Sequence, residues 1–447
     1  MSITATPTLT VAGVDVLNTS DTLAVDALRV PWGRTGVLDP PTPATATITV
    51  LDRTSGATLA GRSDLIGQPV LAGWVGGGSS GVFFRGRITD AAATRRDGGG
   101  FFLSVSCSSN EADAGNYTAP PGTSWPAELF ANRRDRIMGL LPVGVFPGGA
   151  VLPTMTALNA GPELNADLGD FAGYPCVAAD VSGRTVLELL TELWASCYPV
   201  PLVYDPAADG FTYAPRHRVG AAPVVELAPD VARGGLFTAR PHGGGWALPA
   251  GLIGYDGPVA QRLEGRLTRV EVTYQGTMGQ AATAVATTVD TASESVIGRR
   301  MIQVASIIGG SDRVDTYAAN LAGGWAAIAS GEGRARVLEP LTVDTDRTPF
   351  VSTAQAAALL AGRETGDRFF LGGSWLTRLG VQPQFGVLGG VIGYADGRWQ
   401  LELNPVRVST PAPVPLTIAA AGPTTLAQID ESVTFGDLAF VDAITTS

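Results

Sequence analysis

The sequence predicts a mainly β chain with an inserted α+β segment, and three observations carry that reading. Thr45 to Asp52 and Phe101 to Cys107 alternate apolar and polar residues with a period of two. Glycine (57) and proline (31) make up nearly a fifth of the 447 residues, with few long helix-forming runs between them. A second strand-rich block follows a stretch in which helical and strand periodicities mix. For this length the expectation is about three domains. The blocks divide as 1–110, 111–260 and 261–410, with a tail at 411–447.

Residues 1–110 read as all-β. Ala46, Ile48 and Val50 fall on one face of their strand, and Thr45, Thr47 and Thr49 on the other. Phe101, Leu103, Val105 and Cys107 point inward in the same way. One face is therefore buried and the other is wet or covered by a partner. A threonine-rich outer face suits an antiparallel barrel or sandwich.

Residues 111–260 mix helix and strand. Pro126 suits a first helical turn, followed by apolar Phe130, Ile137 and Leu141, with Arg133, Arg134 and Asp135 on the polar side. Thr185 and Glu188 form a capping-box pattern, in which hydroxyl and carboxylate satisfy each other's free amides. The apolar stripe of that helix is Val186, Leu190, Leu193, Trp194 and Cys197. A hairpin over 201–213 turns at Asp205 to Gly210, where Asp-Gly supplies a positive φ.

Residues 261–410 are again strand-rich. Val270, Val272 and Tyr274 alternate with Arg269, Glu271 and Thr273. The Ala/Thr/Gly-rich segment 276–296 reads as an arm or long loop. A helix follows Ser311, then paired strands over 334–344, an Ala-rich helix over 354–361 and a hairpin from Val391 to Leu403. Beyond it, Ser409-Thr-Pro-Ala-Pro-Val-Pro415 is a stiff linker. The tail after it carries four acidic residues and no arginine, as a segment that orders on its partner would.

Composition excludes several functions. The chain has no lysine, so all 30 basic residues are arginine, a bias that a GC-rich genome also produces. A net charge of −11 disfavours phosphate-gripping nucleic-acid binding, but suits a surface that DNA passes without sticking. Cys107, Cys176 and Cys197 are odd in number, lack C-x-x-C spacing and read as buried thiols. The N-terminus lacks the basic and apolar regions of a signal peptide, and no run of about 18 apolar residues predicts a membrane span.

Chemistry is equally sparse. His217 and His242 read as isolated loop histidines, too few for a zinc site. The glycine runs at 76–78, 98–100 and 243–245 lack the ending of a phosphate loop and read as loop tips. No catalytic, cofactor-binding or metal-binding residue is expected. Trp194, Trp325 and Trp399 lie on apolar stripes and read as core. Trp74 and Trp246, in glycine-rich surroundings, are candidate partner contacts, as are Trp32 and Arg34 in the Trp32-Gly-Arg34 turn.

Gly13-Val-Asp-Val16, Trp32-Gly-Arg34, Pro43 to Val50, Gly67-Gln-Pro-Val70 and Phe84 to Asp90 occur in that order. So do the helix and hairpin of 185–216, Ser295 to Arg299, Gly366-Asp367, Ile392-Gly393 and Trp399 to Pro405. In this order the motifs resemble phage minor tail proteins of the baseplate-hub type, common in siphophage-like tailed phages of actinobacteria. The resemblance covers about residues 10–408 and departs at 276–296 and after 410. It implies two tail-tube-like β-barrels, over 1–110 and 261–410, with 111–260 inserted between them. It also implies a homotrimer in the tail tip of the virion, assembled in the host cytoplasm. A distal tail protein or the tube would lie above it, and fibre or tip proteins below. Genomic DNA would pass through without specific binding. The alternatives are a hexameric distal tail protein, a receptor- or glycan-binding tail protein, and a cell-wall hydrolase.

Overall fold

In the computed structural model of the chain, the described residues are 6–16, 22–33, 42–54, 58–76, 79–152, 173–196, 202–213, 225–230, 236–239, 246–247, 253–254, 268–275, 283–289, 291–309, 318–319, 321–322, 341–344, 368–371, 384–395 and 398–407. The architecture is mainly β, as the sequence predicts. The first seven strands are β1 (Thr6–Val11), β2 (Val14–Asp15), β3 (Leu23–Gly33), β4 (Thr45–Asp52), β5 (Pro69–Gly76), β6 (Ser79–Arg95) and β7 (Phe101–Ser109). In space they run β3-β4-β7-β6-β5-β1-β2, all antiparallel.

This sheet does not stop at residue 110. β3 pairs antiparallel with Gln384–Ala395, from Ala27 opposite Ala395 to Gly33 opposite Gly389. Gln384–Ala395 pairs in turn with Arg398–Arg407, through the expected hairpin, and with Arg368–Leu371. Val225–Asp230 and Leu236–Ala239 complete the path of a 15-stranded sheet. The resemblance implies two closed barrels, but the described strands make an open sheet, with β2 at one end and Leu236–Ala239 at the other. A smaller sheet of five strands contains Arg269–Gln275, Thr283–Val289 and Met301–Gly309.

Two apolar cores hold these layers. The first is built from the inward residues of β1 to β7, among them Leu9, Ile48, Phe84 and Val105, and it also takes in Ile392. The second joins the helices Phe130–Met138 and Val186–Ala195 to the five-stranded sheet, through Phe130, Leu190, Trp194, Val272 and Ile308. The blocks 1–110, 111–260 and 261–410 therefore do not map one to one onto cores, since 270–308 packs with the middle segment and 392 with the first. Each fully buried valine, leucine or isoleucine contributes roughly 1.5–3 kcal/mol.

Local reading and structure differ in places. The helix starts at Phe130, not at Pro126, because Glu128–Leu129 pairs as a strand with Pro175–Cys176. Arg133 is buried rather than solvated: Glu128 Oε1 accepts from its Nε at 2.7 Å, and the carbonyls of Pro126 and Val177 accept from Nη2. Its guanidinium also lies 5.3 Å over the Trp125 ring. In the second helix the Thr185 and Glu188 capping box is present in both directions. The 276–296 segment is not a loop throughout. Thr283–Val289 pairs antiparallel with Arg269–Gln275, and Thr291–Ile297 is helical. Its β-branched content favours a strand, and the partner is a neighbour in sequence. Cys197, Trp325, both histidines, the 354–361 helix and everything after 407 lie outside the described residues.

The positive φ of the 201–213 hairpin falls on Asp209 (52°), not on Gly210. Gly210 is needed for a different reason. A Cβ there would lie 2.7 Å from the Gly148 carbonyl carbon and 2.8 Å from the Gly149 oxygen. Backbone cannot move aside as a flexible side chain can. Gly210→Ala is expected to cost about 2 kcal/mol, read as a lowered urea midpoint with the slope unchanged.

Candidate assembly surface

The outer face of the first sheet is built by register. Thr45 lies opposite Ser108, Thr47 opposite Ser106 and Thr49 opposite Ser104. Across β7 the rows continue into β6 as Arg87, Asp90 and Ala92, and across β4 Arg29 lies opposite Thr47. Cross-strand partners share a face, so the alternation of β4 and β7 collects hydroxyls on one side. Thr45, Thr47 and Ser104 are exposed, whereas Ala46, Ile48, Val50, Leu103 and Val105 of the same strands are buried. The charges scattered among them, Arg29, Arg87 and Asp90, are mixed in sign, and Arg87 is paired to Asp113 at 3.2 Å. Such a face offers polar contact without a field strong enough to hold phosphates.

Beside it lies an unpaired edge. β6 spans 17 residues and changes partner midway. It pairs with β5 from Ser79 to Arg87 and with β7 from Gly86 to Arg95. Among the described residues, nothing pairs with the other side of Thr89–Arg95. Apart from half-buried Ala91, these residues are all exposed, as is the turn Arg96–Gly99 beyond them. Arg96 folds back with its guanidinium 5.8 Å from the Phe102 ring centre. A free edge whose middle is Ala91-Ala92-Ala93 lacks the lysines and prolines that normally block strand addition.

The same end of the β4–β7 pair is fastened by Asp52, which lies opposite Phe101, as Arg95 does from the other side, and is 0% exposed. Its Oδ1 accepts from the Thr54 N–H (3.0 Å) and hydroxyl, and its Oδ2 from the N–H groups of Leu59 (2.9 Å) and Ala60 (3.3 Å). Burial pushes the carboxyl up, but these hydrogen bonds outweigh it and hold the group below the ordinary carboxylate range. The cysteine thiols are inert by comparison, since burial pushes Cys107 and Cys176 up to about 12.

A third cluster joins the two cores. Arg85 of β6 donates from Nε to the Pro206 carbonyl at 2.9 Å. Asn110, just after β7, donates from Nδ2 to Asp209 Oδ1 at 3.2 Å, and the Tyr204 hydroxyl donates to the same oxygen at 2.5 Å. Burial, with the Asp209 carboxylate alongside, pushes the Tyr204 phenol far up, so it remains a donor. The geometry fixes orientation and presents no nucleophile.

The sequence-predicted contacts separate. Trp74 is not in a loop: it sits in β5, 4% exposed inside the first core, so this chain does not present its ring. Trp246 is likewise in a strand, with Trp246–Ala247 pairing parallel to Val225–Asp230. Trp32, next to last in β3, lies opposite Gly390 and packs half-buried on the first core, with its indole N–H buried and without a partner among the described residues. Arg34 lies outside the described residues. The sequence reading missed the edge at Thr89–Arg95, whose signal is the run of three alanines where β6 outlives its alternation. Among the described residues, no cluster of three or more His, Cys, Asp or Glu side chains could hold a metal ion.

No family profile and no curated protein matches the chain in sequence. Solved structures do match. A tail protein from Neisseria meningitidis MC58 is similar with a TM-score of 0.51 and 13% identity, covering 89% of this chain and 95% of that one. The 43 kDa tail protein of prophage MuSo2 from Shewanella oneidensis is similar with a TM-score of 0.51 and 11% identity, covering 90% of this chain and 98% of that one. At such identities the likeness is one of fold. The chain has a phage tail-protein fold.

Proposed function

We propose that the chain is a structural protein of a phage tail tip, a baseplate hub whose copies form a ring that continues the tail tube around the DNA channel. The observation that carries this reading is the hydroxyl-rich, sparsely charged sheet face next to an unpaired edge. The edge lets one copy add to the next, and the face lets DNA pass unheld. The likeness to tail proteins, spanning nearly the whole of both chains, supports the same reading. Two strand-rich blocks per chain, 1–110 and 261–410, suit a trimer, three copies supplying six such blocks to a six-fold tube. The neighbours would be a distal tail protein or the tube above, and fibre or tip proteins below. No catalytic step belongs to this reading. The glycan-binding alternative loses one of its two candidate platforms, because Trp74 is core.

Sedimentation of the purified full chain tests the ring. A species of three chain masses is expected. Six chain masses would favour a distal-tail-type ring, and a monomer at all concentrations would overturn ring formation by this chain alone.

A further inference from the structure

From Gly139 to Leu152 no side chain is charged or carries a hydrogen-bonding group. Most of this stretch is nevertheless surface loop, where polar residues usually dominate. Pro142, Val143, Gly144, Pro147 and Val151 are exposed, with Val143 at 106% and Val151 at 50% of full exposure.

The loop is also firmly held. Phe146 is buried at a φ of 55°, rare for a bulky residue, and packs 4.9 Å from the Phe211 ring and 6.0 Å from Tyr204. Gly148 N–H donates to the Asp209 carbonyl, Phe211 N–H to Gly149 and Val151 N–H to Phe211, at 3.1, 2.7 and 2.8 Å. A strained residue persists only where its surroundings over-determine it, and such positions cluster at functional contacts. Here the fixed base serves a tip, Val143, that no described residue covers.

We propose that this loop is a knob by which one copy of the chain seats on a second copy, with Val143 entering an apolar surface there. The inference rests on the ring reading above and names one of its contacts. Copies that each carry −11 repel through their charged surfaces. An uncharged knob is where they approach at least cost. A bilayer is the poorer occupant, because the loop has no arginine and no Trp or Tyr anchor, and the acidic chain is repelled by anionic lipid. One loop is small beside the roughly 1,200 Å² of a stable interface, so it adds to a larger contact.

The test places the photo-crosslinker benzoylphenylalanine at Val143 in the full chain and mixes unlabelled with ¹⁵N-labelled copies. Expected are mixed-isotope crosslinks from position 143 to one recurring peptide. Val143→Asp should keep the wild-type melting curve and weaken self-association by about tenfold. If the wild type associates but position 143 crosslinks only within its own copy, or not at all, the knob is overturned and the ring stands. A wild type that stays monomeric overturns both. Binding to phosphatidylglycerol vesicles that Val143→Asp abolishes, without mixed-isotope crosslinks, would assign the loop to a bilayer and overturn the proposal.

Discussion

Replacing both Ala92 and Ala93 by lysine is expected to leave the chain folded and to abolish its assembly. Both residues are exposed on the unpaired half of β6. Surface changes of this kind alter stability by only about 0.5 kcal/mol. Assembly through the edge is another matter. A strand that adds there must pass its backbone between side chains that project to either face, and edge lysines are the natural block to such pairing. Each lost interchain backbone hydrogen bond removes roughly 0.5–1.5 kcal/mol, and a seven-residue edge makes several. Circular dichroism should show an unchanged melting curve while sedimentation shows only monomer. Ala207→Lys, in an exposed turn away from this edge, should assemble like the wild type. If the double variant assembles normally, the edge is not the contact.

Asp52→Ala is expected to destabilise the first sheet by about 3 kcal/mol, because one ionised carboxylate satisfies the N–H groups of Thr54, Leu59 and Ala60. Without it, the Leu59 N–H is left buried and unpaired. Asp52→Asn should cost less, since the amide keeps one acceptor oxygen. The direction of the pH dependence follows from the lowered carboxyl. A carboxylate more acidic in the fold than in the unfolded chain contributes its full stability above the ordinary carboxylate range. That contribution fades as pH falls through the lowered folded value. The gap in urea midpoint between wild type and Asp52→Asn should therefore be constant near neutrality and narrow in acid. A gap independent of pH would show that the charge contributes nothing.

What the sequence disclosed was local. The face assignment of Thr45 to Asp52 follows from a two-residue period, and the Thr185 and Glu188 box is contained within four residues. Pairing across long separations left no such trace. Nothing near Leu28 says that it will lie opposite Tyr394, yet that pairing joins β3 and Gln384–Ala395 into one sheet. Trp74 reads as a loop residue because glycines flank it. In the structure Gly73 and Gly76 lie in strand β5, and the indole is core. Arg133 reads as solvated because charge usually is, and only the fold brings Glu128 and two carbonyls to it. The assembly surface was half legible. The threonine face is written in the alternation of β4, but the free edge depends on where β5 stops pairing with β6, which is a property of the sheet.

The central claim is that copies of this chain close into a ring with the β4 and β7 hydroxyl face turned to the lumen. A single-particle reconstruction of the assembled full chain tests it most directly. The expected result is three copies about one axis, with Thr45, Thr47 and Ser104 lining the channel and Thr89–Arg95 paired to a neighbouring copy. A ring with that face turned outward, or with Thr89–Arg95 still unpaired, would contradict it.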